Sequence, residues 1–118
     1  MMTVTKPDVE EVFDFLNLMV FEPEGFKVPM ADHLDIMELE GYLGITLRSV
    51  NPLAGVDFVM CILNDEFKDH FEFVEIVAHE MIHIYQQKVL KTWGDHDDFF
   101  WSFKSIFGKY DLPLRERE

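Results

Sequence analysis

Residues 79–83 read His79-Glu80-Met81-Ile82-His83, an H-E-x-x-H motif inside a long apolar stretch. Residues four apart in an α-helix lie one above the other, so both imidazoles could reach a single metal ion. Glu80 projects to the side of the two histidines, where its carboxylate could hold a metal-bound water rather than ligate. The spacing predicts the site of a zinc hydrolase, and of a peptidase in particular.

The third ligand must come from outside the motif, because a catalytic zinc ion takes three protein ligands and keeps one position for water. We expect His96 to be this ligand, since it follows a short break after the motif helix. It also precedes Phe99 and Phe100 by three and four residues, which places it on their inward-facing side of a helix. The alternatives are the aspartates of the same segment: Asp95, Asp97 and Asp98.

Glu80 would serve as the general base of this site. Zinc lowers the pKa of its bound water to about 7, and a nearby carboxylate can take that proton and pass it to the leaving amine. Several side chains could support the reaction without a clear choice among them. The candidate oxyanion donors are Tyr42, Tyr85 and Tyr110, and the candidate partners of the outer imidazole nitrogens are Glu72, Glu75, Asp95 and Asp97.

Helical periodicity predicts three helices, at about 7–20, 71–91 and 96–109. The second carries the motif, and its polar residues from Glu72 to Gln86 fall within a band of about 80° that includes both histidines. This band is expected to form the floor of a cleft, although a solvated face would look the same. Gly94 is expected to stop the second helix, and Asp95 to cap the third.

Residues 34–63 are predicted to form a small antiparallel sheet of about three strands, because the links between them are of hairpin length. Residues 45–50 and 56–63 read as strands joined by a turn, whereas residues 34–40 fit either a strand or a helix. The expected fold class is α+β, in one domain spanning 1–118, with a frayed tail at 113–118.

Composition narrows the possible functions. Apolar residues make up 48% of the 118, so a packed interior is expected, and the single Cys61 excludes an internal disulfide or a cysteine-based zinc ribbon. The net charge is −13 without any cluster of Lys and Arg, so tight nucleic-acid binding is not expected. Neither a signal-peptide core nor a stretch of membrane-spanning length occurs, so we expect a cytoplasmic protein. The acidic surface favours a monomer.

The motif and the segment Gly94-Asp95-His96-Asp97-Asp98-Phe99 together resemble the SprT-like (Spartan-like) zinc metallopeptidases. The pattern of that family is H-E-x-x-H, a short helical continuation, and a third histidine followed three residues later by Phe. The resemblance covers roughly residues 45–107 and is most specific over 79–99. It implies a minimal zincin-like domain that cleaves proteins, with Zn²⁺ bound by His79, His83 and His96 and with Glu80 as the catalytic glutamate.

Two departures from the family limit what the resemblance implies. Many members carry a C-terminal cysteine-rich zinc ribbon or DNA-binding modules, and the acidic character of this chain does not suit substrates linked to DNA. The small format without a ribbon resembles versions encoded by bacteriophages. Two alternatives stay open: a catalytically quiet, zinc-bearing acidic module that binds a basic protein, and a zinc amidohydrolase that is not a peptidase.

Overall fold

The computed structural model describes residues 1–116, and in this range three α-helices and two small sheets form an α+β fold, the class that the sequence predicts. The helices are α1 (Lys6–Leu16), α2 (His70–Lys88) and α3 (Asp98–Gly108). The strands are β1 (Met2–Thr3), β2 (His33–Met37), β3 (Gly44–Asn51), β4 (Val56–Asn64) and β5 (Glu66–Phe67). None of the helices within residues 1–116 has the length and apolar character that a membrane span requires.

The first helical segment, of which α1 is the regular part, begins and ends at residues with clear local signals. The Asp8 carboxylate accepts hydrogen bonds from the backbone N–H and the hydroxyl of Thr5, which fixes the first turn. After α1 the chain continues through a π-helical turn (Asn17–Phe21) and a 3-10 turn (Glu22–Glu24), and Gly25 ends them with φ of 87°. The predicted range of 7–20 therefore lies within a longer and less regular helical segment.

The larger sheet has the strand order β2-β4-β3 and is mixed, so the prediction of an antiparallel sheet is wrong for one strand pair. Strands β3 and β4 form the expected antiparallel hairpin, but β2 pairs with β4 in parallel. The reason lies in the short link from β2 to β3, which crosses the end of β4 instead of reversing beside β2. Asn64 holds this crossing, because its side chain accepts from the Leu39 N–H and its own N–H donates to the Leu43 carbonyl.

The smaller sheet pairs β1 with β5, which the sequence does not predict because two-residue strands carry no periodic signal. Helix α2 packs against one face of the larger sheet, where Val59, Cys61 and Leu63 are buried. On the other face, Leu47 and Phe58 are among the exposed apolar side chains. The sheet therefore places the motif helix against its inner face.

Helix α3 begins later than predicted. The expected start was residue 96 with Asp95 as the cap, but the cap is Asp97, whose Oδ1 accepts from the Phe100 N–H at 3.0 Å. The motif helix also ends three residues before the predicted 91. The segment 89–97, with His96 near its end, is therefore a loop, and His96 does not lie in the first turn of α3 as expected.

Candidate metal centre

The imidazoles of His79, His83 and His96 meet at one point. Nε2 of His83 lies 3.0 Å from Nε2 of His79 and 3.1 Å from Nε2 of His96. Tetrahedral zinc with Zn–N bonds of about 2.0–2.1 Å separates its nitrogen ligands by about 3.3 Å, close to these distances. One ligand nitrogen from each histidine lies within 4.8 Å of the others, so the three residues could hold a metal ion.

His79 presents its Nε2 atom to this point because of a contact on the opposite side of its ring. Its Nδ1 atom lies 2.8 Å from the carbonyl oxygen of Arg115, which can only accept, so Nδ1 carries the hydrogen. The Arg115 guanidinium in turn donates to Glu75 over 3.2 Å. The predicted fraying of 113–118 is thus wrong at Arg115, whereas residues 117 and 118 lie outside the described residues.

His83 is oriented in the same way by a side chain of its own helix. Its Nδ1 atom lies 2.8 Å from Oε1 of Gln86, and the amide nitrogen of Gln86 donates to the Asp95 carbonyl and to Asp97 Oδ1. These two donor contacts identify which end of the amide is oxygen. Nδ1 of His83 therefore also carries the hydrogen, and its Nε2 lone pair points at the shared position.

His96 reaches the same position from the loop rather than from α3. Its ring stacks on Phe100 with 4.1 Å between centroids and 8° between planes. Phe100 is fully buried and also contacts the rings of His79 and His83. The two motif histidines are buried and His96 is exposed, so the centre is closed on the helix side and reachable from the loop side.

The loop that carries His96 is tied to the sheet edge. Arg48 of β3 donates to the carbonyls of Lys91 and Thr92, and its guanidinium lies 4.9 Å from the ring centroid of Trp93. Gln87 donates to the Thr46 carbonyl on β3 and to the Trp93 carbonyl in the loop. The position of the third histidine therefore depends on β3 as well as on the two helices.

Gly94 was expected to end the motif helix, but it lies within this loop, six residues after the helix ends at Lys88. Its φ is 78°, and a Cβ atom there would lie 2.6 Å from Nε2 of Gln87. Both the backbone conformation and the close approach favour glycine.

Glu80 is 1% exposed and lies on the sheet side of α2. Its Oε1 atom accepts a hydrogen bond of 2.7 Å from the Thr46 hydroxyl. Burial raises the pKa of the nearby Cys61 thiol, and the Glu80 carboxylate adds to this rise. The candidate general base therefore lies among buried groups, directly after His79 and three residues before His83 in the sequence.

Of the four carboxylates predicted as outer partners, Glu75 and Asp97 are each connected to a histidine through one intermediate residue. Glu75 contacts Arg115, and Asp97 contacts Gln86. Glu72 accepts from the Lys68 N–H at the start of α2. The Asp97 carboxylate also caps α3, and within residues 1–116 the group that could hold a metal consists of the three histidines.

The tyrosines suggested as oxyanion donors pack elsewhere in the contacts that the structure describes. The Tyr85 ring packs against Phe26 and Phe99, and Tyr110 lines a groove with Phe15 and Met19. Tyr42 is exposed. Sequence reasoning placed Phe100 on the inward face but missed its contact with all three imidazoles, and it could not foresee a backbone carbonyl as the partner of His79.

Comparison with models of known families, with curated proteins and with solved structures gave no significant match. The interpretation of the centre therefore rests on its own residues and geometry.

Proposed function

We propose that this protein is a zinc-dependent metallopeptidase that hydrolyses peptide bonds in protein or peptide substrates. The observation that carries the proposal is the convergence of three histidine Nε2 atoms, two of them from the helix that also carries the buried Glu80. Catalytic zinc takes three protein ligands, and three histidines are one of its known sets, whereas structural zinc sites are closed by four protein ligands. We further propose a minimal zincin-like domain of the SprT-like type, on the strength of the motif and the position of His96.

His79, His83 and His96 would hold the zinc ion, which when bound polarises the substrate carbonyl and activates water. Glu80 accepts the proton of the attacking water and delivers it to the leaving amine. Thr46 holds one oxygen of that carboxylate in a fixed position through its hydroxyl. Phe100 keeps the three imidazoles packed against an apolar wall, which limits their rotation.

The net charge of −13 favours substrates other than proteins bound to nucleic acid, because the phosphate backbone would repel such a surface. It also favours the second candidate function, a catalytically quiet acidic module that binds a basic protein. The two functions differ in what Glu80 does, because only a peptidase needs its carboxylate for turnover.

The experiment compares wild type with Glu80→Gln after loading both with zinc. If the protein is a peptidase, the wild type should cleave labelled casein. The Glu80→Gln variant should cleave it at least about 100-fold more slowly, which is the usual contribution of a general base. It should still bind one zinc per chain. Equal cleavage by both proteins would overturn the role of Glu80. A wild type that binds zinc but cleaves neither casein nor unfolded basic proteins would favour the quiet module.

A further inference from the structure

We propose that Gln86 is the positioning residue of the metal centre, and that its single side chain sets two of the three histidine ligands at once. The inference rests on the proposed metal centre. Gln86 is fully buried and follows His83 by three residues on the same face of α2. Its buried side-chain amide contacts His83 directly, and it contacts the two residues that flank His96.

The oxygen end of the amide acts on His83. Oε1 accepts the hydrogen of His83 Nδ1 over 2.8 Å, which selects one of the two neutral tautomers of that ring. In the selected tautomer Nε2 is the atom with the lone pair, and Nε2 is the atom that faces His79 and His96. Gln86 therefore fixes both the rotation and the ligating atom of His83.

The nitrogen end of the amide acts on the His96 loop. It donates to the Asp95 carbonyl at 2.9 Å and to Asp97 Oδ1 at 3.1 Å, the residues on either side of His96. Both hydrogens of the amide are used in this way. A rotation of the amide by 180° would turn the oxygen toward two acceptors and the nitrogen toward the hydrogen of His83, so only one orientation satisfies every contact.

The backbone of the same residue holds the other part of the loop. The Gln86 carbonyl accepts from the N–H of Thr92 at 3.0 Å and from its hydroxyl at 3.2 Å. The loop is thus attached to Gln86 both before and after Gly94. Glutamine is the residue that the position requires, because a carboxylate could not donate to Asp95 and would lie against Asp97, and an apolar side chain could accept nothing from His83.

Outer partners of metal-binding histidines are typically worth about 10–100-fold in affinity, and Gln86 serves two ligands. We expect Gln86→Met, which has nearly the same volume, to weaken zinc binding by about 10–100-fold in a chelator competition assay. Gln87→Met is the matched control, because Gln87 is equally buried and binds the same loop at Trp93 without touching a histidine. Its loss of affinity should be smaller.

The second measurement is the ¹⁵N spectrum of the histidine side chains in the metal-free protein. Wild type and Gln87→Met should show His83 with its hydrogen on Nδ1, and Gln86→Met should show a mixture of tautomers. Gln86→Glu should keep the Nδ1 hydrogen, because a carboxylate still accepts it, and yet bind zinc more weakly because both donors to the loop are lost.

Three outcomes would overturn the proposal: wild-type His83 with its hydrogen on Nε2, zinc affinity unchanged in a folded Gln86→Met, or an equal loss in Gln87→Met. The wild-type spectrum decides the first point even if a variant fails to fold. Neither readout requires turnover, so an absence of peptidase activity would contradict the proposed function and leave this inference standing.

Discussion

The hydroxyl of Thr46 donates a hydrogen bond of 2.7 Å to Oε1 of Glu80, and so joins strand β3 to the middle of the motif helix. Both side chains are buried, and hydrogen bonds to a carboxylate are among the stronger ones in proteins. Arg48, two residues after Thr46 on the same strand, donates to the Lys91 carbonyl in the His96 loop. Strand β3 therefore contacts two separate parts of the candidate site.

Thr46→Val should destabilise the fold by about 1–3 kcal/mol at neutral pH, because it preserves volume but leaves a buried carboxylate without this donor. Urea unfolding measures the change. Zinc content should stay at the wild-type level, while cleavage of labelled casein should fall by about 10–100-fold. Thr46→Ser keeps the hydroxyl and should recover most of both losses; a serine variant as impaired as the valine variant would exclude the hydrogen bond as the cause.

Gly94→Ala should be more damaging than the same substitution at Gly25. Both glycines have positive φ, and the left-handed conformation costs an alanine about 1–2 kcal/mol. At Gly25 nothing lies within 4 Å of the added carbon, whereas at Gly94 it would meet the Gln87 amide at 2.6 Å. The free energy of unfolding and the zinc affinity of both variants should be measured, and we expect a loss of affinity in Gly94→Ala alone.

His96→Ala should weaken zinc binding by more than about 100-fold, beyond the usual effect of an outer partner, because it removes a ligand. The matched control is His33→Ala, since His33 lies at an exposed position on β2. Zinc content after dialysis against a weak chelator separates the two. Retention of zinc in His96→Ala would show that another residue is the third ligand, and Asp97→Ala would be the next variant to test.

The ion pair between Arg48 and Asp57 should make stability depend on pH at low pH. The hydrogen bond from Arg48, with help from Lys91, holds the pKa of Asp57 at about 2, below the value of about 3.9 in an unfolded chain. This stabilisation is complete above about pH 4 and is lost as the pH falls through about 2. The stability difference between wild type and Asp57→Asn should therefore shrink over this window, as measured by urea unfolding at a series of pH values. A difference that stays constant from pH 5 to pH 2 would contradict the shifted pKa.

Periodicity and spacing were enough to predict the α+β class and the hairpin of β3 and β4. They also suggested that His96 would approach the motif, which it does by a different route. The helix cap was misplaced because Asp95 and Asp97 both satisfy the local rule for a capping residue. What decides between them is the Gln86 amide, which contacts the carboxylate of Asp97 and only the backbone of Asp95.

The features that sequence reasoning missed depend on backbone groups and on distant pairing. The partner of His79 is the backbone carbonyl of Arg115. Every residue type carries such a carbonyl, so no pattern of side chains in the sequence could predict this contact. The parallel pairing of β2 was missed because a link of hairpin length can also cross the end of a third strand. The Asn64 contacts with Leu39 and Leu43 hold the crossing, and the Val59 N–H donates to the Asp32 carboxylate directly before β2.

The mixed sheet also implies an order of assembly. Asn51 pairs with Val56, which is close in sequence, so β3 and β4 can close as a local hairpin. His33 pairs with Met60, so the pairing of β2 with β4 spans a much longer sequence separation that includes β3. Closing the longer loop costs more entropy and requires β4 to be in place first. The backbone amides of β2 should therefore gain protection last during refolding and exchange first in the native protein, ahead of those shared by β3 and β4. Hydrogen exchange resolved by residue would show this order, and the strand that forms last lies on the edge of the sheet farthest from β3 and its contacts with the histidine loop.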